Sequence, residues 1–205
     1  MLRKEEPGPS SKRAGYKESI RKKLRNVRAA MGVNEWRSGS LLIADRVFQI
    51  PEFNHVTSVM LYLSMHDRRE VDTGPLISRV AAAGNIRMFV PFSSGGTIYA
   101  VPFNEGDPVV PGRFGQQEPV KGRLCEEVFP DIVVVPAVAV DRMGRRLGYG
   151  KGYYDRFIAG LRKRGGNPFV IGLAFSFQLL EFLPEDAWDE KLDCIVTENE
   201  ILRFC

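Results

Sequence analysis

Histidine, cysteine and long apolar runs are what this 205-residue chain has least of. Two histidines, His55 and His66, and three scattered cysteines, Cys125, Cys194 and Cys205, offer neither a His/Cys metal cluster nor a disulfide framework. So few cysteines suit a reducing compartment. No apolar run approaches the roughly 20 residues of a membrane span, and the opening MLRKEEPGPSSKRAGYK lacks the apolar centre of a signal peptide. Glu5 and Glu6 interrupt a stretch that a mitochondrial presequence would keep free of acids. The expectation is a cytoplasmic protein with no membrane partner, a mitochondrial address being the alternative.

Acidic residues are scarce at one end only. Residues 1 to 30 carry ten Lys or Arg against three Glu, a balance of +7, which leaves 19 minus 22, or −3, for the remainder. An excess so local argues against a nucleic-acid partner, whose footprint would extend over a folded face. Pro7, Gly8, Pro9, Ser10 and Ser11 break regular structure, so residues 1 to 15 are expected to form an unstructured basic tail before one domain over 16 to 205. From Tyr16 the pattern turns helical: Ile20, Leu24, Val27 and Met31 recur on one stripe, with Lys17, Arg21, Arg25 and Arg28 on the adjoining face.

Beyond this helix the chain alternates strand and helix. Helices are expected over 35 to 49, over DTGPLISRVAAAG (72 to 84) and after Gly152. Strands are expected at TSVMLYLS (57 to 64), NIRMFVPF (85 to 92), TIYAVPF (97 to 103), DIVVVPAVAVD (131 to 141), FVIGLAFS (169 to 176) and CIVTE (194 to 198). A Gly/Pro-rich excursion covers 104 to 122. The unbroken apolar run at 131 to 141 suits a strand buried on both faces, and the alternation as a whole implies an α/β, mostly parallel sheet with helices on both faces.

The stretch RRLGYGKGYYDRF, 145 to 157, sits between that buried strand and the next helix, where a parallel sheet places its binding crevice. Glycines at 148, 150 and 152 let the backbone approach a ligand, the helix start adds positive potential, and Lys151 and Arg146 add full charges. Together they read as an anion cradle, with phosphate the commonest guest. GYGKG is neither a P-loop nor the dinucleotide fingerprint. A tight strand-to-helix turn with Asp155 as a favourable first-turn charge is the plainer reading of the same residues. Tyr154 shares the apolar stripe of its helix with Phe157, Ile158 and Leu161; Tyr153 does not.

DRMGRRLGYGKGYYDRF also resembles the signature of the 5-formyltetrahydrofolate cyclo-ligase (methenyltetrahydrofolate synthetase) family. The similarity extends to Lys17 and Arg21, to YLSM followed by Glu70, to VPF, to Glu118 with Pro119, and to WDEKLDCIVTE; only the first fifteen or so residues lie outside it. The resemblance implies a three-layer Rossmann-like fold, a monomer, and an ATP- and Mg2+-dependent ring closure. A phosphoryl group passes to the formyl oxygen of 5-formyltetrahydrofolate, N10 attacks the activated carbon, and phosphate leaves.

By the same resemblance Lys17, Arg21, Arg146, Leu147, Gly148, Tyr149, Gly150, Lys151, Gly152, Tyr153 and Tyr154 bind ATP, with Lys151 and Arg146 stabilising the charge in flight. Asp155 and Asp189 hold the metal, Asp193 competing with Asp189. Leu63, Glu70, Phe114 and Tyr153 contact the reduced folate, whose polyglutamate tail is a further reason for positive potential nearby. Arg25 and Arg28 are expected to be solvated. Tyr149 departs from the glycine or basic residue common in relatives, and Trp188 from a histidine that often precedes the metal-binding aspartate. A kinase or ligase for another small acid is the competing class, a nucleic-acid module the more distant one.

Overall fold

The computed structural model describes residues 9 to 120 and 128 to 204. The helices are α1 (Pro9–Ala29), α2 (Val33–Val47), α3 (Gly74–Ala83) and α4 (Tyr153–Lys163). The strands are β1 (Ser58–Met60), β2 (Arg87–Ser94), β3 (Thr97–Pro102), β4 (Val109–Pro111), β5 (Gln117–Pro119), β6 (Ile132–Pro136), β7 (Ala139–Asp141), β8 (Arg146–Leu147), β9 (Phe169–Leu173), β10 (Leu179–Leu180), β11 (Cys194–Val196) and β12 (Ile201–Arg203).

Seven strands make the main sheet in the order β12, β11, β9, β6, β1, β2, β3. The five inner strands are parallel, and β12 and β3 close the two edges antiparallel. Side chains alternate across each strand, so the apolar runs feed both faces. Val59, Ile132, Val134 and Ile171 join Ile43 and Val47 of α2 and Leu76 and Val80 of α3 in one core. Met60, Val133, Val135 and Val170 join Phe157, Ile158 and Leu161 of α4 in another. This is the expected three-layer α/β arrangement. Among the described residues no helix is long and apolar enough to cross a membrane.

Four expectations change. The run at 131 to 141 is two strands, β6 in the main sheet and β7 in a three-stranded sheet ordered β10, β7, β8. Pro136 has no N–H to continue a central ladder, and the carbonyls of Ala137 and Val138 beyond it accept instead from Gln178 Nε2 at 3.0 and 2.9 Å. The excursion after Asn104 contains the β4–β5 hairpin; its last two residues, 121 and 122, lie outside the described residues.

Helix α1 starts at Pro9, ahead of Tyr16. A proline at the first helical position forfeits no intrahelical bond; residues 1 to 8 of the expected tail lie outside the described residues. The buried stripe of α1 is Lys17, Ile20, Leu24 and Arg28, not Ile20, Leu24, Val27 and Met31, for Val27 is exposed and Met31 only partly buried. Two cations share the inward face because each finds partners there, while Ile20 and Leu24 pack on Val138, Ala139 and Leu147 of the small sheet.

Gln178 is fully buried, and both carbonyls it serves sit at the break between the two sheets. Gln178→Leu removes this donor from both, leaving Ala137 with Arg28 alone, and is expected to lower stability by about 1–3 kcal/mol, read as a lower urea midpoint at unchanged slope. An unaltered midpoint would mean the break is held by other contacts.

Candidate functional site

From β6 the chain continues to β9 on one side of the sheet, and from β1 to β2 on the other. The crossovers therefore diverge between β1 and β6 and leave a crevice at the carboxyl ends of those strands. A cavity of about 740 Å3 lies there, with Leu63 beyond β1 and Pro136 at the end of β6 in its wall.

The glycine loop forms one flank. Arg146 through Asp155 all line the cavity. Gly150 and Gly152 have φ of 88° and 62°, left-handed values that favour glycine, and Gly152 leads directly into α4. A Cβ on Gly150 would stand 3.2 Å from the guanidinium carbon of Arg21, so the loop and α1 are in close approach. Arg21 Nε secures it by donating to the Gly148 carbonyl at 2.9 Å.

Each sequence-predicted carboxylate of the metal pair is engaged by a predicted ATP-binding cation. Lys17, only 6% exposed, places Nζ 2.6 Å from Asp189 Oδ2 and 2.7 Å from Asp186 Oδ2. Lys17 beside it holds the Asp186 carboxyl below its ordinary range. Arg146 Nη2 lies 2.8 Å from Asp155 Oδ1, while its Nε is buried with no hydrogen-bond partner among the described residues. Asp193, the competitor of Asp189, instead accepts from the Val170 N–H at 2.8 Å on β9. Lys151 is exposed on the cavity rim, and Trp188, 72% exposed, stands beside it.

Glu70 forms the opposite wall. A 3₁₀ turn over His66–Arg68 followed by Arg69 at φ 50° returns the chain toward the cavity and delivers Glu70 opposite the glycine loop. Its carboxylate is buried. Oε2 accepts from the Met65 N–H at 2.8 Å and Oε1 from the Tyr149 hydroxyl at 2.5 Å. Loss of hydration outweighs these bonds and the nearby Arg28 and Arg68, and pushes the Glu70 carboxyl above its ordinary range. Burial and the same carboxylate push the Tyr149, Tyr154 and Tyr62 hydroxyls up. The Phe114 and Tyr153 rings, 6.0 Å apart, line the cavity with Leu63.

The structure thus brings every sequence-predicted site residue to one cavity except Asp193, the alternative to Asp189. The expectation for Arg28 is corrected: it is 2% exposed, donating to the Arg68 and Ala137 carbonyls and to the Tyr149 hydroxyl. Arg25 is half-buried and lines the cavity. Sequence reasoning assigned no role to Arg28, Arg68, Asp186 or Glu118. Arg28 lies two turns beyond Arg21 on one helix face, a spacing that could have marked it. Glu118 is buried in the wall, accepting from the Ser93 N–H and from Gln116; a burial of this kind leaves no local signal.

Residues 13–198 match the family described as the 5-formyltetrahydrofolate cyclo-ligase family. The chain is 32% identical over 180 residues to a probable 5-formyltetrahydrofolate cyclo-ligase of Schizosaccharomyces pombe, covering 81% of this chain and 87% of that one. Its identity to the 5-formyltetrahydrofolate cyclo-ligase of Escherichia coli is 29% over 188 residues, covering 88% and 100%. Among solved structures it superposes on the 5,10-methenyltetrahydrofolate synthetase of Aquifex aeolicus with a TM-score of 0.77 at 36% identity, covering 91% of this chain and 92% of that one.

The raised Glu70 carboxyl sets a pH dependence of stability. The folded chain takes up this proton at higher pH than the unfolded chain, whose value is near 4.5, so between the two values stability falls as pH rises. Glu70→Gln is expected to remove that part of the slope and to gain on the wild type toward neutral pH. Urea midpoints across a pH series check it; parallel curves would refute it.

Proposed function

The chain belongs to the 5-formyltetrahydrofolate cyclo-ligase family, and on that premise we propose that its crevice converts 5-formyltetrahydrofolate to 5,10-methenyltetrahydrofolate, with ATP going to ADP and phosphate. The observation that carries this reading is the meeting of the Gly148–Gly152 loop and Glu70 in one cavity.

The formyl group on N5 is an amide, so its carbon is a weak electrophile and its oxygen a poor leaving group. Phosphorylation of that oxygen turns it into a phosphate ester; N10 then adds to the carbon and gives up its proton to solvent, the C–O bond breaks, and the pair leaves with phosphate. The chain's work is positioning and charge compensation. Loop backbone from Gly148 to Gly152, beside Leu147, Tyr149, Tyr153 and Tyr154, cradles the phosphates, with Lys17 and Arg21 reaching them from α1. Arg146 and Lys151 stabilise charge on the transferring group; the unpartnered Nε of Arg146 is donor capacity awaiting an acceptor. Leu63, Phe114 and Tyr153 enclose the pterin, and Glu70 accepts from its N–H groups.

Magnesium fits the residues present. Among the described residues no group of three His, Cys, Asp or Glu gathers to hold a metal, as suits a hard cation that takes most of its oxygens from phosphates and water. Asp155 and Asp189, both at the cavity and both already within reach of a cation, would hold it. Bound there, it would supply charge neutralisation across the phosphate oxygens. Arg146 and Lys17, beside those two carboxylates, would face the same phosphates.

Purified protein is expected to form the methenyl absorbance only with 5-formyltetrahydrofolate, ATP and a divalent cation together; its absence with all three present would sink the reading. Lys151→Ala is expected to lower kcat/KM roughly 100- to 1,000-fold with the far-ultraviolet dichroism unchanged. Asp155→Asn is expected to move the magnesium titration to higher concentration, and an identical titration would remove Asp155 from the proposed pair.

A further inference from the structure

One residue belongs to both halves of the site. Tyr149 lies inside the glycine loop, between Gly148 and the left-handed Gly150, and its hydroxyl reaches across the cavity to Glu70 Oε1 at 2.5 Å. The same hydroxyl accepts from Arg28 Nη2 at 2.5 Å. Arg28 is itself fixed, donating through Nε to the Arg68 carbonyl at 2.9 Å and through Nη1 to the Ala137 carbonyl at 3.2 Å. The guanidiniums of Arg28 and Arg68 lie 5.8 and 5.5 Å from the centroid of the Tyr149 ring. Because the Met65 N–H holds the other Glu70 oxygen, the phenol fixes the direction in which the carboxylate faces the cavity.

We infer that Tyr149 is a positioning residue that couples the two substrates: a nucleotide that orders the glycine loop holds the phenol against Glu70 and so tightens binding of the reduced folate. This rests on the function proposed above. Coupling of this kind is reciprocal, so the folate tightens the nucleotide by the same factor. The link is a single hydrogen bond to a charged acceptor, of a strength that corresponds to a factor of about ten or more in affinity.

Tyr149→Phe tests it, because the ring keeps its place near both guanidiniums and only the hydroxyl, with its bonds to Glu70 and Arg28, is lost. Calorimetric affinity for 5-formyltetrahydrofolate is measured with and without a non-hydrolysable ATP analogue and magnesium. The wild type is expected to bind about tenfold tighter with the analogue, and the variant to show a ratio near one. A second readout needs no ligand. Glu70 faces Tyr149, Arg28, Arg68, Tyr62 and Tyr154; removing one donor to its carboxylate is expected to raise the pH at which it titrates, followed by carbon-13 NMR of the side-chain carboxyl.

A ratio unchanged by the substitution, or a wild-type ratio of one, overturns the coupling while leaving the proposed reaction standing. A wild type that binds no reduced folate at all overturns the reaction, and the coupling with it. A Glu70 titration identical in both proteins removes the hydroxyl link itself.

Discussion

Proline 136 cannot donate to a neighbouring strand, and the architecture of the crevice depends on that missing hydrogen. Residues up to 136 lie at the centre of the main sheet, with β1 on one side and β9 on the other. Beyond it the chain must leave the ladder, and it leaves beside the place where the crossovers diverge. The small sheet of β7, β8 and β10 receives it and turns it back, so that the glycine loop arrives over the crevice and α4 then returns to the main sheet. Gln178 and Arg28 take up the carbonyls freed at the exit. The site is thus built around a discontinuity in the buried central strand of the main sheet.

Charge in the crevice is arranged in contacts between cations and carboxylates. Lys17 with Asp186 and Asp189, and Arg146 with Asp155, bring cations and carboxylates of opposite expected destinations into contact. Such pairs lower the desolvation burden of keeping ionised groups in a partly enclosed space. They also mean that a polyphosphate arriving with its cation meets groups of both signs already in contact. On the proposed reading, the cations would face the phosphates and the carboxylates would hold the metal. Helix α1 supplies this because its inward stripe mixes Ile20 and Leu24 with Lys17 and Arg28.

The parallel sheet, its flanking helices and the glycine loop were legible because their signals are local: apolar runs, periodicity, and glycines ahead of a helix. The break inside 131 to 141 was not, although Pro136 stands within it, because the apolar pattern continues unbroken into β7 and only tertiary acceptors reveal the change of sheet. Arg28 was misjudged for a related reason. A cation on an amphipathic helix is ordinarily solvated, and its partners here, the Arg68 and Ala137 carbonyls and Tyr149, are 40 or more residues away in the chain. Lys17, Arg21, Glu70 and Asp189 came from family likeness rather than from any spacing rule, since nothing local distinguishes them from surface charges. Their placement about one cavity is information only the folded chain carries.

The two tryptophans occupy opposite extremes of this molecule. Trp36 is buried beneath the crevice, its indole donating to the Glu70 carbonyl at 2.5 Å, whereas Trp188 is largely open to water at the rim next to the glycine loop. Intrinsic emission therefore divides into a blue component shielded from soluble quenchers and a red component open to them. Occupancy of the rim and reorganisation of the floor can be followed as separate colours in one unlabelled sample.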